Sequence, residues 1–87
     1  MAWKVEYTKT AREQLKKLPN DIALRITKYM DKRAAEAPRQ YGKAMKGEYA
    51  GRWRYRVGVY RVVCSLRDDV LVIEVVRVGH RRDVYKN

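Results

Sequence analysis

Apolar and polar positions alternate over residues 2–7, with Trp3, Val5 and Tyr7 on one side, which is the period of a half-buried strand. The period then lengthens. Ala11, Leu15 and Leu18 recur at helical spacing while Arg12, Lys16 and Lys17 face outward, and Thr8 or Thr10 stands where a cap belongs. Leu18-Pro19-Asn20 stops that helix. A second helix is predicted over residues 21–35, with Ile22, Ile26, Tyr29, Met30 and Arg33 along one side. Residues 37–51 read as an irregular stretch punctuated by Pro38, Gly42, Gly47 and Gly51, with Arg39, Lys43 and Lys46 as loop cations. From residue 52 the period is that of strands: runs over 52–57 and 59–66 flank Gly58, Asp68-Asp69 marks a turn, and 70–78 is rich in β-branched residues. The pattern predicts an α+β fold in which an N-terminal strand and a two-helix hairpin pack on a twisted antiparallel sheet.

The stretch around Gly58 can be drawn as a hairpin. With Val57-Gly58 as its two-residue turn, Arg56 faces Val59, Arg54 faces Arg61 and Arg52 faces Val63. Side chains alternate between the faces of a sheet, so Arg52, Arg54, Arg56 and Arg61 share one face. Trp53, Tyr55, Tyr60, Val62 and Cys64 share the other, which is the natural core. Like charges directly opposite one another destabilise a sheet by roughly 0.2–1 kcal/mol per pair. No acidic residue lies between Arg52 and Arg61 to offset this. A ladder that works against folding points to a ligand, since local rules are most often broken at functional sites.

Charge strengthens that reading. The chain has 87 residues, room for one domain over 1–87, and carries 21 Lys and Arg against 10 Asp and Glu, a net charge of +11. Such an excess attracts polyanions. The kind of cation also changes: from Arg52 to Arg82 every strong base is Arg, whose planar fork matches phosphate oxygens. Cys64 is the single cysteine, so no intrachain disulfide can form, as expected in a reducing cytoplasm. No segment reaches the roughly 18 apolar residues of a membrane span. The expectation is a soluble cytoplasmic protein without a membrane partner.

A second cluster closes the chain: Arg77-Val78-Gly79-His80-Arg81-Arg82-Asp83-Val84-Tyr85. Together with Trp3–Tyr7, Lys17-Leu18-Pro19, Lys43-Ala44-Met45-Lys46-Gly47 and Arg54-Tyr55-Arg56-Val57-Gly58-Val59-Tyr60-Arg61-Val62, it carries a family resemblance over essentially the whole chain. In these residues the chain resembles the RelE/ParE toxin superfamily of toxin–antitoxin systems. The Gly79-His80-Arg81 and Tyr85 ending favours the RelE type.

The resemblance implies a microbial-RNase-like fold and an endoribonuclease that enters the ribosomal A site and cuts mRNA there, without metal or other cofactor. In that chemistry the ribose 2′-hydroxyl attacks the adjacent phosphate, which calls for a base, for cations around the phosphate and for an acid at the 5′ oxygen. By position, the resemblance implies that Arg61 and Arg81 stabilise the phosphate and that Tyr85 is the candidate base. It leaves Arg52, Arg54, Arg56, Lys46, His80 and Arg82 as RNA-binding residues. Arg54 and Arg56 stand where studied family members have lysines. An arginine stays protonated and cannot be a base, so Tyr85, His80 and Lys46, in that order, are the available substitutes. A cognate antitoxin with an acidic binding segment is implied as partner, beside ribosome and mRNA. Two other readings compete. One is a ParE-like inhibitor of DNA gyrase, and the other is a basic nucleic-acid-binding module with no turnover.

Overall fold

The computed structural model describes residues 2–85. The first strand, β1 (Lys4–Tyr7), ends at Thr8, whose Oγ1 accepts the Ala11 N–H at 3.1 Å and caps α1 (Lys9–Lys16). After the Pro19 turn the chain enters α2 (Asn20–Tyr29), which runs on into a π-turn over Met30–Ala34. The wide turn inserts one residue into the helical repeat. That rotates Ala34 and Ala35 inward and leaves Arg33 exposed, so the predicted placement of Arg33 beside Ile26 and Met30 is corrected.

The stretch expected to be irregular contains short elements. These are α3 (Pro38–Tyr41), the two-residue strand β2 (Lys43–Ala44) and a 3-10 turn over Gly47–Tyr49. Lys43 therefore sits on a strand, and Arg39 on a helical turn. Arg39 forms a two-pronged bridge to Asp68, both contacts at 2.8 Å, and its guanidinium lies 5.4 Å from the Trp53 ring centre. The three long strands follow as β3 (Trp53–Val57), β4 (Tyr60–Arg67) and β5 (Val72–His80).

The sheet order is β1-β5-β4-β3-β2. It is antiparallel from β2 to β5, but β1 pairs with β5 in parallel, so the sheet is mixed. Three α-helices and three strands separate β1 from β5 in the chain, so no hairpin forces the pair to be antiparallel.

One face of the sheet carries the main core. Tyr55, Val57, Val62, Cys64, Ile73, Val75 and Val78 meet Ala11, Ile26, Met30 and Ala34 from the helices. Tyr55 is fully buried, and its hydroxyl donates to the Pro38 carbonyl at 2.8 Å. Gly42 leaves room for that ring, because a Cβ there would lie 2.8 Å from it. Burial pushes the Cys64 thiol up from its ordinary value, which keeps it protonated and unreactive. A β-bulge shifts the β4–β5 register between Val63 and Cys64. Just beyond it Gln14 of α1 accepts the Val78 N–H at 2.7 Å, tying the helix layer to β5.

Candidate nucleic-acid interface

The hairpin turn is Gly58-Val59, one residue later than the sequence pattern placed it. Gly58 has φ 60° and Val59 is not in the left-handed region, which is the pattern of a type II′ turn with glycine first. The pairs are therefore Trp53 with Cys64, Arg54 with Val63, Tyr55 with Val62, Arg56 with Arg61 and Val57 with Tyr60. The predicted partners are corrected, but the faces stand. Moving the turn by one residue displaces each pairing by two positions, and two positions is the period of a strand.

Beyond β4, Arg61 pairs with Gly79 and Val63 with Arg77. The arginine face thus reads Arg56, Arg61, Gly79 along one row and Arg54, Val63, Arg77 along the next. Val63 is buried although it lies outside the main core cluster. It forms an apolar floor between two arginine stems.

Arg61 is the centre of the group. Partial burial holds its guanidinium below the usual value, the charge of Arg56 adds to this, Tyr85 opposes it, and Arg54 and Arg81 contribute further in the lowering direction. Four of the residues singled out from sequence are thus within electrostatic reach of Arg61. Its Nη1 donates to the Gly58 and Tyr60 carbonyls, both at 2.9 Å, which fixes the group against the hairpin turn. Arg54 has its Nε buried without a partner among the described residues. A donor left in that state destabilises the fold by roughly 1–3 kcal/mol.

The tail reaches this face by a turn. The Arg81 N–H donates to the Val59 carbonyl at 2.8 Å, extending the ladder past β5. The Asp83 and Val84 N–H groups then both donate to the His80 carbonyl. Val84 folds back over Gly79 and is buried; a Cβ on Gly79 would lie 3.4 Å from it. This brings Tyr85 into a hollow of about 400 Å³ that it lines with Met45, Lys46, Tyr49 and Arg54. Tyr49 also lines a second hollow, of about 540 Å³, with Thr8, Thr10, Glu48, Arg52 and Arg77.

Two sequence candidates lie elsewhere. His80 pairs with Tyr60 on the opposite face, its ring edge-on at 5.8 Å, and its Nδ1 accepts the Arg82 N–H at 3.1 Å. Arg82 is exposed in the turn. Arg52 belongs to the arginine face but to the larger hollow, away from Lys46 and Tyr85. Among the lining residues, sequence reasoning passed over Arg77 and Tyr49. Alternation along β5 puts Arg77 in phase with Gly79 and was a usable signal. Tyr49, on a single turn of helix, had none.

Residues 5–85 match the family described as ParE toxin of type II toxin-antitoxin system, parDE. The chain is 33% identical over 86 residues to Toxin RelG of Mycobacterium tuberculosis, covering 99% of each chain. It is 28% identical over 82 residues to Toxin RelE of the same organism, covering 94% of this chain and 84% of that one. Among solved structures, the toxin–antitoxin complex RelBE2 from M. tuberculosis superposes with a TM-score of 0.88 at 31% identity, over 93% of this chain and 100% of that one. The intact E. coli RelBE complex superposes at 0.76 with 22% identity, over 91% and 96%, a likeness of fold. The chain belongs to the RelE/ParE superfamily and is a toxin of a type II toxin–antitoxin system, with RelE-like relatives. Among the described residues no helix is long and apolar enough to cross a membrane.

Proposed function

We propose that this toxin is a metal-independent endoribonuclease that cleaves mRNA in the ribosomal A site and so stops translation. The observation that carries this reading is the placement of Arg54, Arg56 and Arg61 on one face of β3 and β4, with Tyr85 in the hollow that Arg54 lines and Arg81 bonded through its N–H to the hairpin turn. Attack by the 2′-hydroxyl on the neighbouring phosphorus builds negative charge on the non-bridging oxygens. Guanidinium groups fixed in advance around that point stabilise the charge without reorganising. DNA lacks the attacking hydroxyl, so the substrate is RNA.

The proton must leave the 2′-hydroxyl by another route than arginine. Tyr85 and Lys46 line the same hollow as Arg54, whereas His80 faces the helices' side of the sheet. Tyr85 is therefore the favoured proton acceptor and Lys46 the reserve. Arg61 and Arg81 hold the reacting phosphate, and Arg52, Arg54 and Arg56 hold the flanking strand. Arg82, exposed in the turn, and His80, beside Tyr60 on the other face, play a peripheral part in RNA binding. As the P–O2′ bond forms, the P–O5′ bond breaks and the leaving 5′ oxygen takes a proton from water, which gives a 2′,3′-cyclic phosphate and a 5′-hydroxyl.

A cognate antitoxin completes the system. Several superposable structures are toxin–antitoxin complexes, and a +11 chain favours a partner with an acidic binding segment. The cytoplasm, where ribosomes and mRNA meet, is the proposed location.

Primer extension on translated mRNA after induction tests the reading. New 5′ ends are expected with the wild type and not with Arg61→Ala or Arg81→Ala. No new ends, together with loss of plasmid supercoiling, would overturn it in favour of a gyrase-directed toxin. Equal loss of ribosome affinity and cleavage in Arg81→Ala would instead give Arg81 a binding role, and RNA binding with no new 5′ ends would mark a binding module.

A further inference from the structure

We propose that Arg77 and Tyr49 form a clamp that positions Tyr85 in the arginine site. The proposal rests on the reading of Tyr85 as proton acceptor. Tyr85 follows a turn in which the Asp83 and Val84 N–H groups donate to the His80 carbonyl. Its side chain is exposed, and an exposed side chain keeps its rotamer freedom unless something ties it down.

The ties come from two distant segments. Arg77 of β5 donates through Nη1 to the Val84 carbonyl at 3.1 Å and to the Tyr49 hydroxyl at 3.3 Å. The Tyr49 hydroxyl in turn donates to the Tyr85 carbonyl at 3.3 Å. The Tyr49 and Tyr85 rings meet at 5.5 Å, tilted by 58°. A guanidinium, a phenol and two successive carbonyls thus form one continuous chain across the last turn. Each link is modest, but a hydrogen bond from a charged donor is stronger than one between neutral groups, enough to bias the conformation of the turn.

The consequence is kinetic. A proton acceptor works only within hydrogen-bond reach of the hydroxyl it serves. Misplacement by about 1 Å can lower a rate by about 100-fold. Arg77 and Tyr49 touch neither the reacting phosphate nor the 2′-hydroxyl in this scheme, so they are positioning residues. Losing the Tyr49 hydroxyl should lower turnover and leave RNA affinity in place.

The test uses the full chain with 3-fluorotyrosine at position 85, in Tyr49→Phe and Arg77→Gln backgrounds. Three quantities are read: the fluorine resonance, the affinity for a 2′-O-methyl RNA that cannot be cleaved, and the cleavage rate in a translating extract with the unlabelled variants. Tyr49→Phe keeps the ring and loses the hydroxyl, so folding is preserved. The clamp predicts a fluorine signal shifted toward that of free fluorotyrosine. It also predicts cleavage slowed by about 10- to 100-fold and affinity held within about twofold for Tyr49→Phe. Arg77→Lys should recover part of the rate. Cleavage by the Tyr49→Phe, Tyr85→Phe pair should be no slower than by Tyr85→Phe alone. A fluorine signal unmoved in both variants overturns the clamp. A Tyr85→Phe chain that cleaves as fast as wild type overturns the reading of Tyr85 as proton acceptor, and the fluorine signal still decides whether the clamp exists.

Discussion

Arg56 and Arg61 stand directly opposite each other across β3 and β4, and this pair shows how the fold and its use conflict. Facing like charges weaken a sheet by roughly 0.2–1 kcal/mol. Arg56→Gln should therefore raise stability by about that amount, which for a domain of this size moves the melting midpoint upward by roughly 1–8 °C. The same change should weaken RNA binding. Thermal melts and oligonucleotide titrations on one preparation check both signs; a destabilised Arg56→Gln would mean that the arginine is held by attractive contacts instead. Which arginines share a face was legible in the sequence, because alternation fixes it whatever the register. Which of them gather around Arg61 was not, since that depends on a tail turn whose course no period encodes. The face of His80 was legible by the same alternation. His80 lies between Gly79 and Arg81 in the chain, yet the pleat sends it to the face of Tyr60.

At the scale of elements, the strands and helices were readable and their joints were not. The pattern located both long helices and all three long strands, because each carries a clear period. It missed the π-turn, which changes the period partway through a helix, and the short elements between Pro38 and Tyr49, which are too short to show one. The hairpin turn was displaced by one residue because a single glycine can occupy either central position. With Gly58 first and at φ 60°, Gly58→Ala forces an L-residue into the left-handed region. It should cost about 1–2 kcal/mol, measured by urea unfolding, whereas Val59→Asn should change little. A second joint is the Arg39–Asp68 bridge, which ties α3 to the turn after β4. The hydrogen bond from Arg39 holds the Asp68 carboxyl below its ordinary value. A lowered folded-state value means that the bridge stabilises above the unfolded pKa of about 3.9 and loses its effect as pH falls through the folded one. Stability should thus fall more steeply with acid in the wild type than in Asp68→Asn. Because both partners are exposed, the difference should shrink in high salt.

For the whole molecule the question is whether the +11 charge acts as a diffuse field or through one face. Every cation adds to the long-range attraction, but only those that displace counterions from bound phosphates set the salt dependence of affinity. If Arg54, Arg56, Arg61 and Arg81 each neutralise one phosphate of a single strand, log affinity should fall with log salt at a slope of about −3, taking roughly 0.7 per contact. Each arginine-to-glutamine change on that face should then flatten the slope by about 0.7. Lys17→Gln, on the exposed side of the helix layer, removes the same formal charge without touching the face and should leave the slope unchanged. Titrating a 2′-O-methyl RNA at several salt concentrations separates the two cases. Equal flattening by Lys17→Gln and Arg61→Gln would make the charge a diffuse field and the arginine face incidental. Flattening confined to the face would mean that the repulsion between Arg56 and Arg61 persists in the free protein because bound phosphate relieves it.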